Sequence, residues 1–256
     1  MRILDISKIE FYKILKKRLS LVMLATLFIP IFYTFSTVTD ADLLQMMPSG
    51  ALDYCFAQWD LLGMTGLFQV LFSLITVSAF ASEIEKGQLK LTVFRLGGRK
   101  KIVYAKVLAL VAFMLMCYLI FMLFSLLCYY LFVTHTAYGT GEFVSAAVRQ
   151  IGISRFLIGG LFPMMDALIT AGIVFLFSLR YKTGICFMLA IGTSVTLLVM
   201  QFFPGICYLV PVYVGILLSY GQISGAIAGG LCAIYLAIVG FCVWKTANKF
   251  ERMDLK

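Results

Sequence analysis

Long apolar stretches without charged residues alternate along this chain with short connections that carry charge. A helix needs about 20 apolar residues to cross a bilayer core that is about 30 Å thick. The last uncharged stretch, between Lys182 and Lys245, is long enough for two such helices and too short for three with turns. The pattern therefore predicts six spanning helices, at about 19–39, 61–82, 107–133, 156–179, 185–203 and 222–244.

The segment between the fifth and sixth predicted spans is apolar but interrupted. Pro204, Gly205, Pro211 and Gly215 punctuate it, and such residues break helices. Irregular backbone is tolerated at membrane depth only where protein or water satisfies its polar groups. We therefore expect a broken outer segment, re-entrant or interfacial, in an all-α integral membrane protein that forms one transmembrane domain over residues 1–256.

The first 18 residues have a different pattern. Apolar side chains share one helical face, and Glu10 and the lysines fall largely on the other: Leu4, Phe11, Ile14 and Leu15 against Lys13, Lys16 and Lys17. This pattern predicts an amphipathic helix that lies in the membrane interface and leads into the first span. A signal peptide is the alternative, but no small-x-small cleavage site follows the apolar run, and Pro30 lies inside it.

The composition supports a membrane protein. Hydrophobic residues make up 62% of the chain and charged residues 13%, whereas soluble domains have about 45–50% and about 25%. A water-soluble fold of this composition would expose large apolar patches, which soluble monomers rarely do.

The net charge of +9 fits either nucleic acid or a membrane surface as the partner, and its distribution decides between them. With six spans and the N-terminus inside, every basic residue except Arg149 and Arg155 falls in an inner segment. Cytoplasmic loops are enriched in this way. We therefore expect a multi-pass protein of the cell membrane, with both termini in the cytoplasm and no nucleic-acid partner.

The longest predicted inner connection, residues 83–106, carries the clearest functional signal. Two glutamates stand where the second span ends, an apolar stretch and a glycine pair follow, and a basic cluster leads into the third span. An ordinary basic cytoplasmic loop is the alternative interpretation. The residues that we single out are Glu83, Glu85, Lys86, Gly87, Leu89, Leu91, Phe94, Arg95, Arg99 and Lys106.

Here the sequence resembles the type-2 ABC permease family of exporters. Members show an acidic residue leaving the second helix, then Lys/Arg-Gly, a short leucine-bearing helix, an Arg, and a Lys before the third helix. The matching residues are Glu83 or Glu85, Lys86, Gly87, Leu89, Arg99 and Lys106. Gly97-Gly98 replace a proline that is frequent in the family, which leaves the register of the short helix open. The resemblance extends to the N-terminal helix, the six spans, the broken outer segment and the tail Phe250-Glu-Arg-Met-Asp254.

The resemblance implies that residues 83–106 form a coupling segment. Its short helix would place an apolar ridge of Leu89, Leu91 and Phe94 in a groove on a separate ATPase subunit, present in two copies. That subunit would bind ATP and Mg²⁺, because this chain has no phosphate-binding loop and is expected to be neither an enzyme nor a cofactor-binding protein.

A second permease, identical or related, and membrane lipid are the other partners that the resemblance implies. The implied substrate is hydrophobic or amphiphilic, such as a lantibiotic, another antimicrobial peptide or a drug, which would move outward across a bacterial membrane. A channel and a non-transporting scaffold or sensor subunit are the alternative functions.

Asp166 is the one ionisable residue inside a predicted span. An acid in the membrane suggests a role in a substrate path or in gating. The structural alternative is that Pro163 begins a helix and Asp166 follows in the same turn, where a negative charge is favourable.

Three further features have simpler interpretations. Gly221, Gly225 and Gly229 recur every fourth residue, a spacing that lets helices pack closely within the subunit or against a partner permease. The seven cysteines lack a C-x-x-C pair and mostly lie in apolar runs, although a disulfide between Cys55 and Cys207 stays open. His135 has no partners at metal-binding spacing, so we expect no metal site.

Overall fold

The computed structural model of the protein describes residues 2–39, 49–89, 92–93 and 98–252, and every regular element in these ranges is helical. Short 3₁₀ helices span Arg18–Leu27, Val133–His135 and Cys207–Leu209. The α-helices are α1 Ile3–Lys16, α2 Phe28–Val38, α3 Ala51–Met64, α4 Leu67–Ala79, α5 Ala81–Glu85, α6 Arg99–Phe132, α7 Ala146–Ile151, α8 Ile153–Gly159, α9 Phe162–Ser178, α10 Thr183–Met200, α11 Pro211–Ser219 and α12 Gly225–Glu251.

Within the described ranges, six helical segments are long and apolar enough to cross a membrane, which confirms the predicted number of spans. They are Arg18–Val38, Leu67–Glu85, Arg99–His135, Ile153–Ser178, Thr183–Met200 and Gly225–Glu251. The third span begins at Arg99 rather than near residue 107, so the basic residues before the predicted start already belong to its helix. The chain is therefore an all-α membrane protein.

The N-terminal helix α1 is amphipathic, as predicted, but Glu10 does not lie on the polar face that the sequence pattern suggested. Ile6 and Ile14 are buried against the bundle, whereas Leu4 is 63% exposed. Glu10 was placed with the lysines on the polar face and is instead 2% exposed. Glu10 is buried because residues 6, 10 and 14 are four positions apart and therefore share the face of α1 that packs along α6.

Breaks separate consecutive helices at several points in the chain. Gly66 adopts a positive φ of 66° between α3 and α4, where a residue with a Cβ would be strained. The predicted broken segment is also present, because α10 stops at Met200 and α11 begins with Pro211 in its first turn. Pro suits that position because it lacks the N–H that a first turn leaves unpaired.

The fourth span lies at the centre of the bundle. Its helix α9 packs against α4, α10, α11 and α12. Trp59 on α3 is fully buried beside it, and its indole N–H donates to the Gly160 carbonyl at 2.8 Å. The fifth and sixth spans, in contrast, present most of their surface outward. All seven cysteines are free, so Cys55 and Cys207 do not form the disulfide that the sequence left open.

Candidate functional site

Five charged side chains meet where α1, the end of the second span and the start of the third span converge. We call Glu10, Lys13, Lys17, Glu83 and Lys106 the ionic cluster. Sequence analysis singled out two of its members, Glu83 and Lys106, and the structure brings them together.

Lys106 is the centre of the ionic cluster. Its ammonium group lies 2.5 Å from Glu10 Oε2 and 2.5 Å from Glu83 Oε2, and it donates to the Ala79 carbonyl at 3.0 Å. A lysine ammonium has three N–H donors, so all three are used. Because Lys106 is only 2% exposed, this charge is held by protein groups rather than by water.

Every carboxylate oxygen of the ionic cluster has an ammonium partner. The second oxygen of Glu10 contacts Lys13 at 2.5 Å, and that of Glu83 contacts Lys17 at 3.0 Å. Lys17 also donates to the Ser78 carbonyl at 2.9 Å. Three lysines thus enclose two buried glutamates, which leaves an excess of one positive charge at this end of the bundle.

Two further links join the ends of the connection 86–98 to the last two spans. Glu85 Oε2 accepts a hydrogen bond from the backbone N–H of Thr183, the first residue of the fifth span, at 3.0 Å. Arg99 donates to the Glu251 carbonyl at the end of the sixth span at 3.0 Å, and Lys100 pairs with the Glu251 carboxylate at 2.8 Å. The connection is therefore anchored to α1 and to four of the six spans.

The other residues of the predicted coupling segment have different positions. Lys86 is exposed, and Gly87 makes the turn with a positive φ of 67°. Leu89 is 2% exposed and belongs to the hydrophobic core of this chain. This corrects the expectation that Leu89 is part of an exposed ridge, because a side chain buried here is not available to a partner. Three singled-out residues lie outside the described part of the chain: Leu91, Phe94 and Arg95.

Asp166 forms a second, separate polar site inside the bundle. Pro163 lies in the first turn of α9, as predicted, but Asp166 follows that turn and serves another helix. Its Oδ2 accepts a hydrogen bond from the Val212 N–H at 3.2 Å, at the start of α11, whereas its Oδ1 has no hydrogen-bond partner among the described residues. The carboxylate therefore connects the fourth span to the broken segment.

Two of the three glycines of the repeat, Gly225 and Gly229, do not pack against another helix in the described part of the chain. A Cβ added to Gly225 or Gly229 would meet no heavy atom within 4 Å. Gly221 lies in a turn with a positive φ of 71°, near Ile151. The interpretation that this repeat brings helices together inside the subunit is therefore wrong for Gly225 and Gly229.

Sequence reasoning missed three members of the ionic cluster: Glu10, Lys13 and Lys17. One signal could have found Glu10, since it shares its helix face with the apolar Ile6 and Ile14. An acid on an apolar face needs a buried cation as partner. The pairing with Lys106 itself joins residues 96 positions apart in sequence, which no local pattern indicates.

Together these features define an all-α, multi-pass membrane protein with a buried ionic cluster at one end of its bundle. In the part of the chain that the structure describes, no group of three or more potential ligands could hold a metal ion. No protein-family model matches this chain, and no curated protein is detectably similar to it.

Proposed function

We propose that this chain is the membrane-spanning permease subunit of an ATP-driven exporter of the type-2 ABC class. The observation that carries the proposal is the anchoring of the connection 86–98. Its two ends bond to α1 and to the second, third, fifth and sixth spans through the ionic cluster, the Glu85–Thr183 hydrogen bond and the Arg99–Glu251 hydrogen bond.

This arrangement suits a segment that receives force. A buried ion pair resists separation, because pulling one partner away leaves an uncompensated charge in a medium of low polarity. A push on residues 86–98 would therefore move α1 and the attached spans together, instead of being absorbed by a loose loop. In the proposed mechanism, closure of two ATPase subunits supplies that push and rocks the spans so that substrate leaves on the outer side.

The proposed orientation places the basic end of the bundle in the cytoplasm of a bacterial cell, with both termini on that side. Lys86, Arg180, Lys182 and Arg252 belong to this end, in addition to the ionic cluster. Cytoplasmic connections are enriched in Lys and Arg, and only this side offers ATP to a partner subunit. ATP and Mg²⁺ would bind to that partner and not to this chain.

The proposed substrate class rests on resemblance. A lantibiotic, another antimicrobial peptide or a hydrophobic drug fits a permease with spans this apolar, and a second permease chain would complete the transport unit. Asp166 remains a proposed gating residue, because it is the hydrogen-bond link between the fourth span and α11.

Co-purification tests the proposal. We expect the tagged chain to bring down a protein with a phosphate-binding loop, identified by mass spectrometry, together with ATP hydrolysis. The double variant Leu91→Asp/Phe94→Asp should lose that protein and its activity, because two charges in an apolar ridge would oppose docking. Leu89 is left unchanged because its burial makes it part of the fold.

The matched control is Phe143→Asp. Phe143 is 51% exposed in the connection between the third and fourth spans, at the opposite end of the bundle. Both variants must elute from size-exclusion chromatography like the wild type. If the double variant retains the ATPase, the proposed docking role of Leu91 and Phe94 fails. If the wild type purifies without a nucleotide-binding subunit, the exporter proposal fails, and a channel or a non-transporting scaffold or sensor subunit is favoured instead.

A further inference from the structure

A cleft lined by charged and polar residues lies between α1 and the connection that follows the second span. Its volume is about 440 Å³. One side of it is lined by Lys13 and Lys16 of α1 and by Lys17, directly after that helix. The other side is lined by Glu83 and Thr92. The cleft thus opens directly beside the ionic cluster, where positive charge exceeds negative charge.

The lysines of the cleft retain free hydrogen-bonding capacity. Each ammonium group has three N–H donors. In the described part of the chain, Lys13 donates one hydrogen bond, to Glu10. Lys17 donates two, to Glu83 and to the Ser78 carbonyl. Lys16 has no carboxylate partner there and lies 4.6 Å from the centre of the Tyr12 ring. Several N–H donors are therefore left for an anionic ligand.

The local charge also favours an anion. Lys13, Lys17 and Lys106 pair with the two carboxylates of Glu10 and Glu83, and Lys16 adds a further positive charge in the cleft, which leaves two positive charges in excess. A ligand with one negative charge would reduce that excess without disturbing the ion pairs. A ligand with several negative charges would bind less favourably, because the carboxylate of Glu83 lies in the wall of the cleft and would repel it.

The surroundings of the cleft indicate where the anion comes from. Helix α1 also presents exposed apolar side chains that do not line the cleft, with Leu4 63% and Ile9 41% exposed. An amphipathic helix of this kind lies at the level of the lipid headgroups, with its apolar side toward the acyl chains. The cleft is therefore at the depth where phospholipid phosphates are concentrated, and clustered lysines beside a span attract anionic lipids.

We infer that this cleft is a binding site for the headgroup of an anionic phospholipid. The lysine ammonium groups hold the phosphodiester, and Gln88 and Thr92 are among the residues that line the cleft beside them. A lipid bound here contacts both α1 and the connection 86–98, so its presence stabilises their relative position.

Native mass spectrometry of the full-length chain in detergent tests this inference. The probes are phosphatidylglycerol and phosphatidylcholine with identical acyl chains, and inorganic phosphate as a soluble anion. We expect one phosphatidylglycerol to bind in preference to phosphatidylcholine. Lys16→Gln should weaken that binding by about fivefold, the factor that corresponds to about 1 kcal/mol per basic residue at a membrane surface.

Lys8→Gln is the matched control, because Lys8 is an exposed lysine on the same helix that does not line the cleft. If Lys8→Gln weakens binding as much as Lys16→Gln, the attraction is diffuse and the site does not exist. Equal binding of the two lipids would also overturn the inference. If inorganic phosphate competes at the same concentration as the lipid, the ligand is a soluble phosphate and not a headgroup.

Discussion

Lys106 shows how one residue can hold several elements together. Its charge is buried with Glu10 and Glu83, so removing it would leave two carboxylates facing each other without water. Breaking a buried ion pair by deleting one partner costs about 3–5 kcal/mol. The pair of Lys100 and Glu251 is different, because both side chains are about half exposed, and such pairs contribute about 0–1 kcal/mol.

We therefore predict that Lys106→Met destabilises the protein by about 3–5 kcal/mol. Lys100→Met, the same substitution in the first turn of α6, should cost less than about 1 kcal/mol. The measurement is the free energy of unfolding from titration with a denaturing detergent in mixed micelles. Equal losses for the two variants would mean that Lys106 is hydrated and that the ionic cluster is not a buried network.

At the scale of the helix, two glycines have opposite roles in α11 and α12. Gly215 in α11 lies against α8, and an added Cβ would come within 2.6 Å of the Gly159 carbonyl oxygen. Gly229 in α12 has open space where a Cβ would be. The close approach of α8 and α11 thus depends on the absence of a side chain at Gly215. In α12, Gly229 permits no such contact and only lowers the helix propensity.

Alanine scanning of these two positions gives a matched test. We predict that Gly215→Ala lowers the free energy of unfolding by about 1–3 kcal/mol, because a rigid backbone atom must move. Gly229→Ala should be neutral or raise it by up to about 1 kcal/mol, since Ala favours helix over Gly. A destabilised Gly229→Ala protein would indicate that α12 packs closely against something through this face.

Hydropathy predicted the elements of this fold well, because membrane spans are defined by the length of an apolar run. It gave six spans and the broken segment, and the structure confirms both. It did not give the breaks at Gly66 and at Gly159-Gly160, since glycines in an apolar run also occur inside an unbroken helix, as the pair Gly229-Gly230 does in α12. It also missed α3, whose 14 residues continue toward the second span and include Asp53 and Asp60.

The candidate site was only half predictable for a related reason. Glu83 and Lys106 stand in one connection, so a local motif includes both. Glu10 lies in α1 and Lys17 directly follows it, and their contacts with Lys106 and Glu83 depend on how α1 packs along α6. The buried position of Leu89 has the same origin. The motif alone placed this residue on an exposed ridge, whereas tertiary packing buries it in the hydrophobic core.

At the scale of the whole molecule, the two ends of the bundle differ in charge. One end carries the ionic cluster, the connection 86–98 and the C-terminus of the sixth span. The other end carries the connection between the third and fourth spans, where Glu142 pairs with Arg149 at 3.5 Å. The proposed function requires that the first end face the cytoplasm, since an ATPase can dock only there.

Cysteine labelling of intact cells tests that requirement directly. Lys86 and Glu142 are both exposed, at opposite ends of the bundle, and the native cysteines give the background. With a membrane-impermeant maleimide, we predict that Glu142→Cys is labelled in intact cells and that Lys86→Cys is labelled only after permeabilisation. Labelling of Lys86→Cys in intact cells would contradict the account, because the proposed docking segment would then face away from ATP.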